Sequence, residues 1–178
     1  MTFLSPQGPA TGLETRAAGI TLAVFDVDGV MTDGRLYLDE DGRETKTFHV
    51  RDGLGLKRLM QHGVQIAVIS GRPSQATAAR CAELGITHVH LACADKPAAL
   101  AALTAQLDIA DRAIAIMGDD LPDLALAESL AAGPGLLLAV ADAVPALRRA
   151  AHWVSAAPGG HGAVRQACDL ILDAREAR

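Results

Sequence analysis

The sequence predicts an α/β domain in which helices cover both faces of a parallel sheet. Short apolar runs, most of them rich in β-branched residues, alternate with longer segments of helical pattern from Ile20 onward. That alternation is the signature of strands buried on both faces and joined by crossover helices. The chain has 178 residues, half of them hydrophobic and 21% charged, which suits one domain with one substantial core.

Residues 1–19 contain Pro6, Gly8, Pro9, Gly12 and Gly19 without an apolar run. They read as a disordered arm that lacks the hydrophobic core of a signal peptide. The domain proper is expected over 20–178. Its strands are ITLAVF (20–25), VQIAVI (64–69), ITHVHL (86–91), AIAIM (113–117) and LLLAV (136–140). Helices are expected near 53–62, 74–84, 96–107, 121–131, 142–151 and 162–175. The segment 35–50 breaks the alternation. Its two extended stretches around Asp39-Glu40-Asp41-Gly42 predict a β-hairpin inserted after the first strand, with Gly42 at positive φ.

Composition excludes several function classes. Sixteen basic against 21 acidic residues argue against a broad nucleic-acid surface. The few aromatics, Phe3, Phe25, Tyr37, Phe48 and Trp153, give no stacking platform for single strands. No run approaches the ~20 apolar residues of a membrane helix. Cys81, Cys93 and Cys168 are odd in number and scattered, so they read as reduced thiols in a cytoplasmic protein rather than as disulfides or a zinc site. His88 and His90 alternate on a strand but have no evident third ligand, and read as structural.

The polar residues gather where strands end, the place at which open α/β sheets bind ligands. Asp26 and Asp28, two residues apart, point to one side of an extended chain. Two such carboxylates repel each other unless a cation or a proton intervenes. Ser70-Gly71-Arg72-Pro73 offers a hydroxyl and a helix N-terminus, suited to a phosphate or to a plain N-cap and turn. Asp95-Lys96-Pro97 puts a lysine in a first helical turn, where the macrodipole disfavours it. Gly118-Asp119-Asp120-Leu121-Pro122-Asp123 crowds three carboxylates at another strand end, suiting a hard divalent cation such as Mg²⁺. Each signal alone has a structural reading; four at successive strand ends point to phosphate chemistry.

The ordered set DVDGV, ISGR, DKP and GDDLPD resembles the four motifs of the haloacid dehalogenase (HAD) phosphohydrolase superfamily. HVRDGLGLK (49–57), the run from ITHVH to DK, and GGHGAVRQACDLIL (159–172) further resemble the 3-deoxy-D-manno-octulosonate 8-phosphate (KDO 8-phosphate) phosphatases. The likeness covers about residues 20–173. It implies a Rossmann-like HAD fold with no large cap domain. It also implies Mg²⁺-dependent hydrolysis of KDO 8-phosphate to KDO and phosphate through an aspartyl-phosphate, in lipopolysaccharide precursor biosynthesis.

By the same resemblance Asp26 is the nucleophile, and Asp28 is the general acid for the leaving hydroxyl and then the base for water. Mg²⁺ is held by Asp26, Asp119 and the backbone carbonyl of Asp28. Ser70 binds phosphoryl oxygens, and Lys96 neutralises charge and orients Asp26. Asp123 supports the metal shell, while Asp120 stands between support and ligation. Substrate contacts fall on Asp28, His49, Val50, Arg51, Asp52, Gly53, Lys57, Arg72, Arg80 and Lys96. The resemblance implies a homotetramer whose packed hairpins roof neighbouring sites. His49 and Lys57 stand where the family pattern has asparagine and arginine, and lysine lacks arginine's bidentate grip on a carboxylate. Two other readings stay open: the same chemistry on a nine-carbon keto-sugar-acid 9-phosphate, and a phospho-accepting receiver-like signalling domain. The receiver reading leaves Asp28 without a use.

Overall fold

The computed structural model describes residues 12–177. Helix α1 (Gly12–Ala18) leads into β1 (Leu22–Phe25), and a hairpin of β2 (Tyr37–Leu38) and β3 (Glu44–Thr45) follows. The chain continues as α2 (Val50–Gln61), β4 (Gln65–Ile69), α3 (Gln75–Leu84), β5 (His88–His90) and α4 (Lys96–Leu107). A single 3₁₀ turn at Asp111–Ala113 then precedes β6 (Ile114–Gly118), α5 (Leu121–Glu128), β7 (Leu136–Ala139), α6 (Pro145–Ala150), β8 (Trp153–Val154) and α7 (Ala163–Glu176).

Six strands form one parallel sheet in the order β5-β4-β1-β6-β7-β8. The central strands β1, β6 and β7 are buried at every position, as their unbroken apolar runs require. Helices α1, α2, α3 and α7 pack together, and α4, α5 and α6 form the other layer. From β1 the chain moves outward to β4 and β5; from there it crosses back to β6 and moves outward the other way. The carboxyl ends of β1 and β6 therefore diverge at a topological switch point, which opens a crevice between their loops.

Local chemistry sets the helix starts. Ser74 Oγ accepts from the amide of Thr77 at 3.2 Å to cap α3, and Asp95 Oδ1 accepts from the amide of Ala98 at 2.9 Å to cap α4. Asp120 and Asp123 close a capping box at α5. Helix α2 starts at Val50, three residues before the sequence suggests, because His49 Nδ1 accepts from the amide of Arg51 at 3.2 Å. Gly55 lies inside this helix because α7 comes close: a Cβ there would sit 3.1 Å from that of Cys168.

Two expectations are corrected. Residues 12–18, assigned to a disordered arm, form α1, whose Ala17 and Ala18 are buried and whose Arg16 Nη1 donates to the carbonyl of Gly135 at 3.2 Å. Packing against α7 stabilises a seven-residue helix that would not persist alone. Residues 1–11 of that arm lie outside the described residues. Strand β8 was not anticipated. It is two residues long, and its order comes from pairing with β7 in the register Leu138↔Trp153 and Ala139↔Val154.

The hairpin forms where expected, with Tyr37 opposite Thr45 and Leu38 opposite Glu44. Gly42 has φ +76°, and Asp39 Oδ1 accepts from the amides of Asp41 and Arg43. Leu36, Tyr37 and Leu38 are exposed on the single chain.

Candidate active site

Asp26 is the first residue beyond β1, and its amide donates to the carbonyl of Met117 on β6 at 3.2 Å. Past Asp28 the chain turns at Gly29, with φ +85°. A side chain is barred there twice over, since a Cβ would collide with the Asp119 carboxylate. The glycine loop before α7 supports this turn from behind. The amide of Gly160 donates to the carbonyl of Val30 at 3.0 Å, and a Cβ at Gly159 would strike the carbonyl of Gly29. Backbone thus lies directly on backbone, which explains glycine at both positions.

Carboxylate oxygens of Asp26, Asp119 and Asp123 lie within 4.8 Å of one another. One cation from the chain enters this group. Lys96 Nζ, from the first turn of α4, stands 3.1 Å from Asp26 Oδ1 and 2.8 Å from Asp123 Oδ1. Burial opposes the charge on Lys96, but Asp123 and Asp26 outweigh it and raise its proton affinity. Asp123 is 2% exposed, and its Oδ2 accepts from the amides of Asp119 at 3.1 Å and Asp120 at 3.4 Å.

The three acids share too little positive charge. Burial, then the charge of Asp123, pushes Asp26 up to about 6 against the pull of Lys96. Burial, then Asp123, Asp26 and Asp120, pushes Asp119 up to about 7. An all-oxygen cluster with unbalanced negative charge fits a hard divalent cation such as Mg²⁺. Asp123 is already committed to Lys96 and two amides, which leaves Asp26 and Asp119 the freer pair. Asp120 Oδ1 accepts from the amide of Leu121 at 2.7 Å and serves the helix start.

Asp28 has a separate environment. Its Oδ1 is ion-paired with Lys46 Nζ, and Arg72 Nε stands 3.7 Å from its Oδ2. Glu44 joins both cations: Oε1 is 2.5 Å from Lys46 Nζ, and Oε2 accepts from Arg72 Nη2 at 3.0 Å. Ser70, 3% exposed, donates its amide to the carbonyl of His90 at 2.9 Å, while its Oγ accepts from the amide of Arg72 at 3.3 Å. These strand ends enclose a cavity of about 650 Å³ lined by Asp26, Asp28, Ser70, Arg72, Lys96 and Asp119 among others, with Asp120 and Asp123 also at its wall.

The structure does not bring the remaining candidates to this cavity within one chain. Val50, Arg51 and Lys57 are exposed along α2, and His49 is occupied as its cap. Asp52 is buried, and its Oδ1 accepts from the amide of Arg165 at 2.8 Å at the start of α7; burial raises its proton affinity. Gly53 makes room for the Arg80 guanidinium, which pairs with Glu83 at 2.8 Å. Of these two arginine candidates, Arg72 reaches the cavity and Arg80 does not in the single chain.

Sequence reasoning missed Lys46 and Glu44. Glu44 opens the hairpin's second strand and Lys46 directly follows it, but nothing in the sequence ties them to Asp28. His88 is structural, its Nε2 3.0 Å from Gln65 Oε1. Burial pushes the thiol of Cys81 up to about 11 and that of Cys168 upward too, so both are inert. Among the described residues no helix is long and apolar enough to cross a membrane.

No protein-family model matches the chain. Its relatives are nonetheless informative. It is 42% identical over 166 residues to the 3-deoxy-D-manno-octulosonate 8-phosphate phosphatase KdsC of Salmonella typhi, covering 93% of this chain and 86% of that protein. A solved 3-deoxy-D-manno-octulosonate 8-phosphate phosphatase from Moraxella catarrhalis, in complex with magnesium, phosphate and KDO, superposes with a TM-score of 0.87. It is 39% identical, and the match covers 92% of each chain. A Legionella pneumophila protein described as a HAD superfamily (subfamily III A) hydrolase superposes with a TM-score of 0.88 at 43% identity, covering 93% of this chain and 88% of that one.

Proposed function

Because this chain belongs to the KDO 8-phosphate phosphatase family of HAD hydrolases, we propose that it hydrolyses KDO 8-phosphate to KDO and phosphate, with Mg²⁺, in the making of lipopolysaccharide precursors. The observation that carries the reading is the contrast between two neighbouring carboxylates. Asp26 lies in the acidic cluster with Lys96, whereas Asp28 is held apart by Lys46 and Arg72.

Asp26 attacks phosphorus, the bond from phosphorus to the sugar oxygen breaks, and Asp28 gives its proton to that oxygen. Asp28 then takes a proton from water, which attacks the aspartyl-phosphate and releases phosphate and the free Asp26 carboxylate. Dividing one hard displacement in two is the gain from covalent catalysis. Lys96 and a bound cation would favour the ionised form of Asp26, which leaves Asp28, outside that cluster, to pass the proton. Lys96 holds the attacking oxygen in place, and Ser70 with the amides after β4 receives phosphoryl oxygens. Asp26, Asp119 and the backbone of Asp28 would hold Mg²⁺, which supplies charge neutralisation for an anion attacking an anion.

The finer parts of the proposal are a homotetramer and a cytoplasmic location. Assembly is supported by exposed Leu36, Tyr37 and Leu38 on the hairpin and Val50 and Leu54 on α2, since a two-stranded hairpin with apolar residues in water is marginal alone. A second chain over the cavity would also give Arg51 and Lys57 a substrate to meet. Phosphate release from a panel of sugar phosphates, with Mg²⁺ and with chelator, tests the function. KDO 8-phosphate is expected to be the best substrate, and a clear preference for a nine-carbon sugar-acid phosphate would move the chain to the neighbouring specificity.

A further inference from the structure

Lys46 is an unusual lysine. It stands one residue past β3 on an otherwise exposed hairpin, yet its side chain is 2% exposed. Burying an ammonium costs several kcal/mol unless close partners compensate. Here the partners are two carboxylates, Asp28 from the loop after β1 and Glu44 from β3 itself. Neither Lys46 nor Glu44 lines the cavity. Lys46 is therefore not placed to grip a substrate, and what it touches is the residue that the proposed reaction uses as acid and base.

The contact is also selective. Lys46 takes Oδ1 of Asp28, while Oδ2 has Arg72 Nε at 3.7 Å. Arg72 is 45% exposed on its side chain and lines the cavity, and its approach to Oδ2 is looser than its 3.0 Å bond to Glu44. With Oδ1 anchored, Oδ2 is the oxygen left for proton transfer. Glu44 matters in turn because it holds Lys46 and Arg72 together, closing a ring of two acids and two cations. This ring ties the hairpin to both the β1 and β4 loops.

We propose that Lys46 is a positioning residue for Asp28, and that Glu44 fixes Lys46 in that role. The hairpin then does more than cover the site: it sets the orientation of the carboxylate that protonates the leaving oxygen. This inference rests on the acid and base role of Asp28 proposed above.

The test compares two leaving groups on the full chain with Mg²⁺. A sugar alkoxide needs a proton in order to leave, whereas p-nitrophenolate does not. Lys46→Met should lower kcat for KDO 8-phosphate by about 10²-fold, the low end of a general acid's contribution, with KM within about threefold. Its loss on p-nitrophenyl phosphate should be under about fivefold if only proton delivery is affected. Lys46→Arg should restore part of the sugar-phosphate rate, and Lys46→Met added to Asp28→Asn should cost nothing further. Glu44→Gln keeps the lysine charge and should give a smaller loss of the same selectivity; it tests the idea if Lys46→Met does not fold. Equal losses on both substrates, a change in KM alone, or additivity with Asp28→Asn would overturn the role of Lys46. Full activity of Asp28→Asn on the sugar phosphate would instead overturn the acid and base reading beneath it.

Discussion

Lys96 Nζ lies 3.1 Å from Asp26 Oδ1 at the crevice between the ends of β1 and β6. The same nitrogen holds Asp123, so this one side chain keeps Asp26, the proposed nucleophile, in place and offsets part of the charge around it. Lys96→Met should leave three crowded carboxylates without a cation from the chain. Phosphate release is expected to fall by about 10²-fold or more, the scale of losing one preorganised electrostatic partner. Steady-state kinetics with saturating Mg²⁺ check this.

The acidic cluster predicts a particular coupling of stability to pH. Asp26 and Asp119 titrate near 6 and 7 without metal, both above the ordinary carboxylate range. Between about pH 4 and 7 the folded chain therefore binds more protons than the unfolded one, and stability falls as pH rises through that window. The loss comes from ionising buried carboxylates beside one another, and a bound divalent cation offsets that cost. Melting curves should show Mg²⁺ raising Tm more at pH 8 than at pH 5.5. Asp119→Asn should flatten the pH dependence measured in chelator. A gain in Tm independent of pH would place the metal elsewhere.

Gly159, in the loop before α7, should tolerate no side chain. Gly159→Ala drives a methyl into the carbonyl of Gly29, and overpacking of this kind costs about 1–3 kcal/mol. Activity should fall as well, because the turn that follows Asp28 must shift. Gly63→Ala is the control: Gly63 has φ +78° but open space around it, so only backbone strain is added. Denaturant melts and phosphate release on both variants separate the two effects.

These sites differ in how far the sequence exposed them. The strands were legible because an apolar run buried on both faces has one simple environment, as at Leu136–Ala139. Asp26, Ser70, Lys96 and Asp119 were legible because a parallel sheet sends the ends of its strands to one rim. The ion pair of Lys46 with Asp28 was not, since it joins residues 18 apart through a hairpin whose strands are two residues each. Helix α1 was hidden for a related reason: five glycines and prolines interrupt residues 1–19, and only contact with α7 reveals that Ala17 is a core residue. His49 to Lys57 could be read as a motif, but their place could not, because their positions along α2 depend on the His49 cap and on close approach to α7.

Assembly gives a further outcome. Light scattering at micromolar concentration should report about four times 18.4 kDa. Replacing Leu36 and Leu38 with aspartate should shift the protein toward the single chain and lower activity on the sugar phosphate. A fully active species of 18.4 kDa would remove any need for a neighbouring chain over the cavity.

The central claim is that Asp26 takes the phosphoryl group. Its most direct test is phosphate release from KDO 8-phosphate by the wild-type chain and Asp26→Asn, side by side with Mg²⁺, with folding checked by melting curves. Steady turnover by the wild type and none by a folded Asp26→Asn is the expected result. Near-normal turnover by Asp26→Asn would contradict the covalent mechanism.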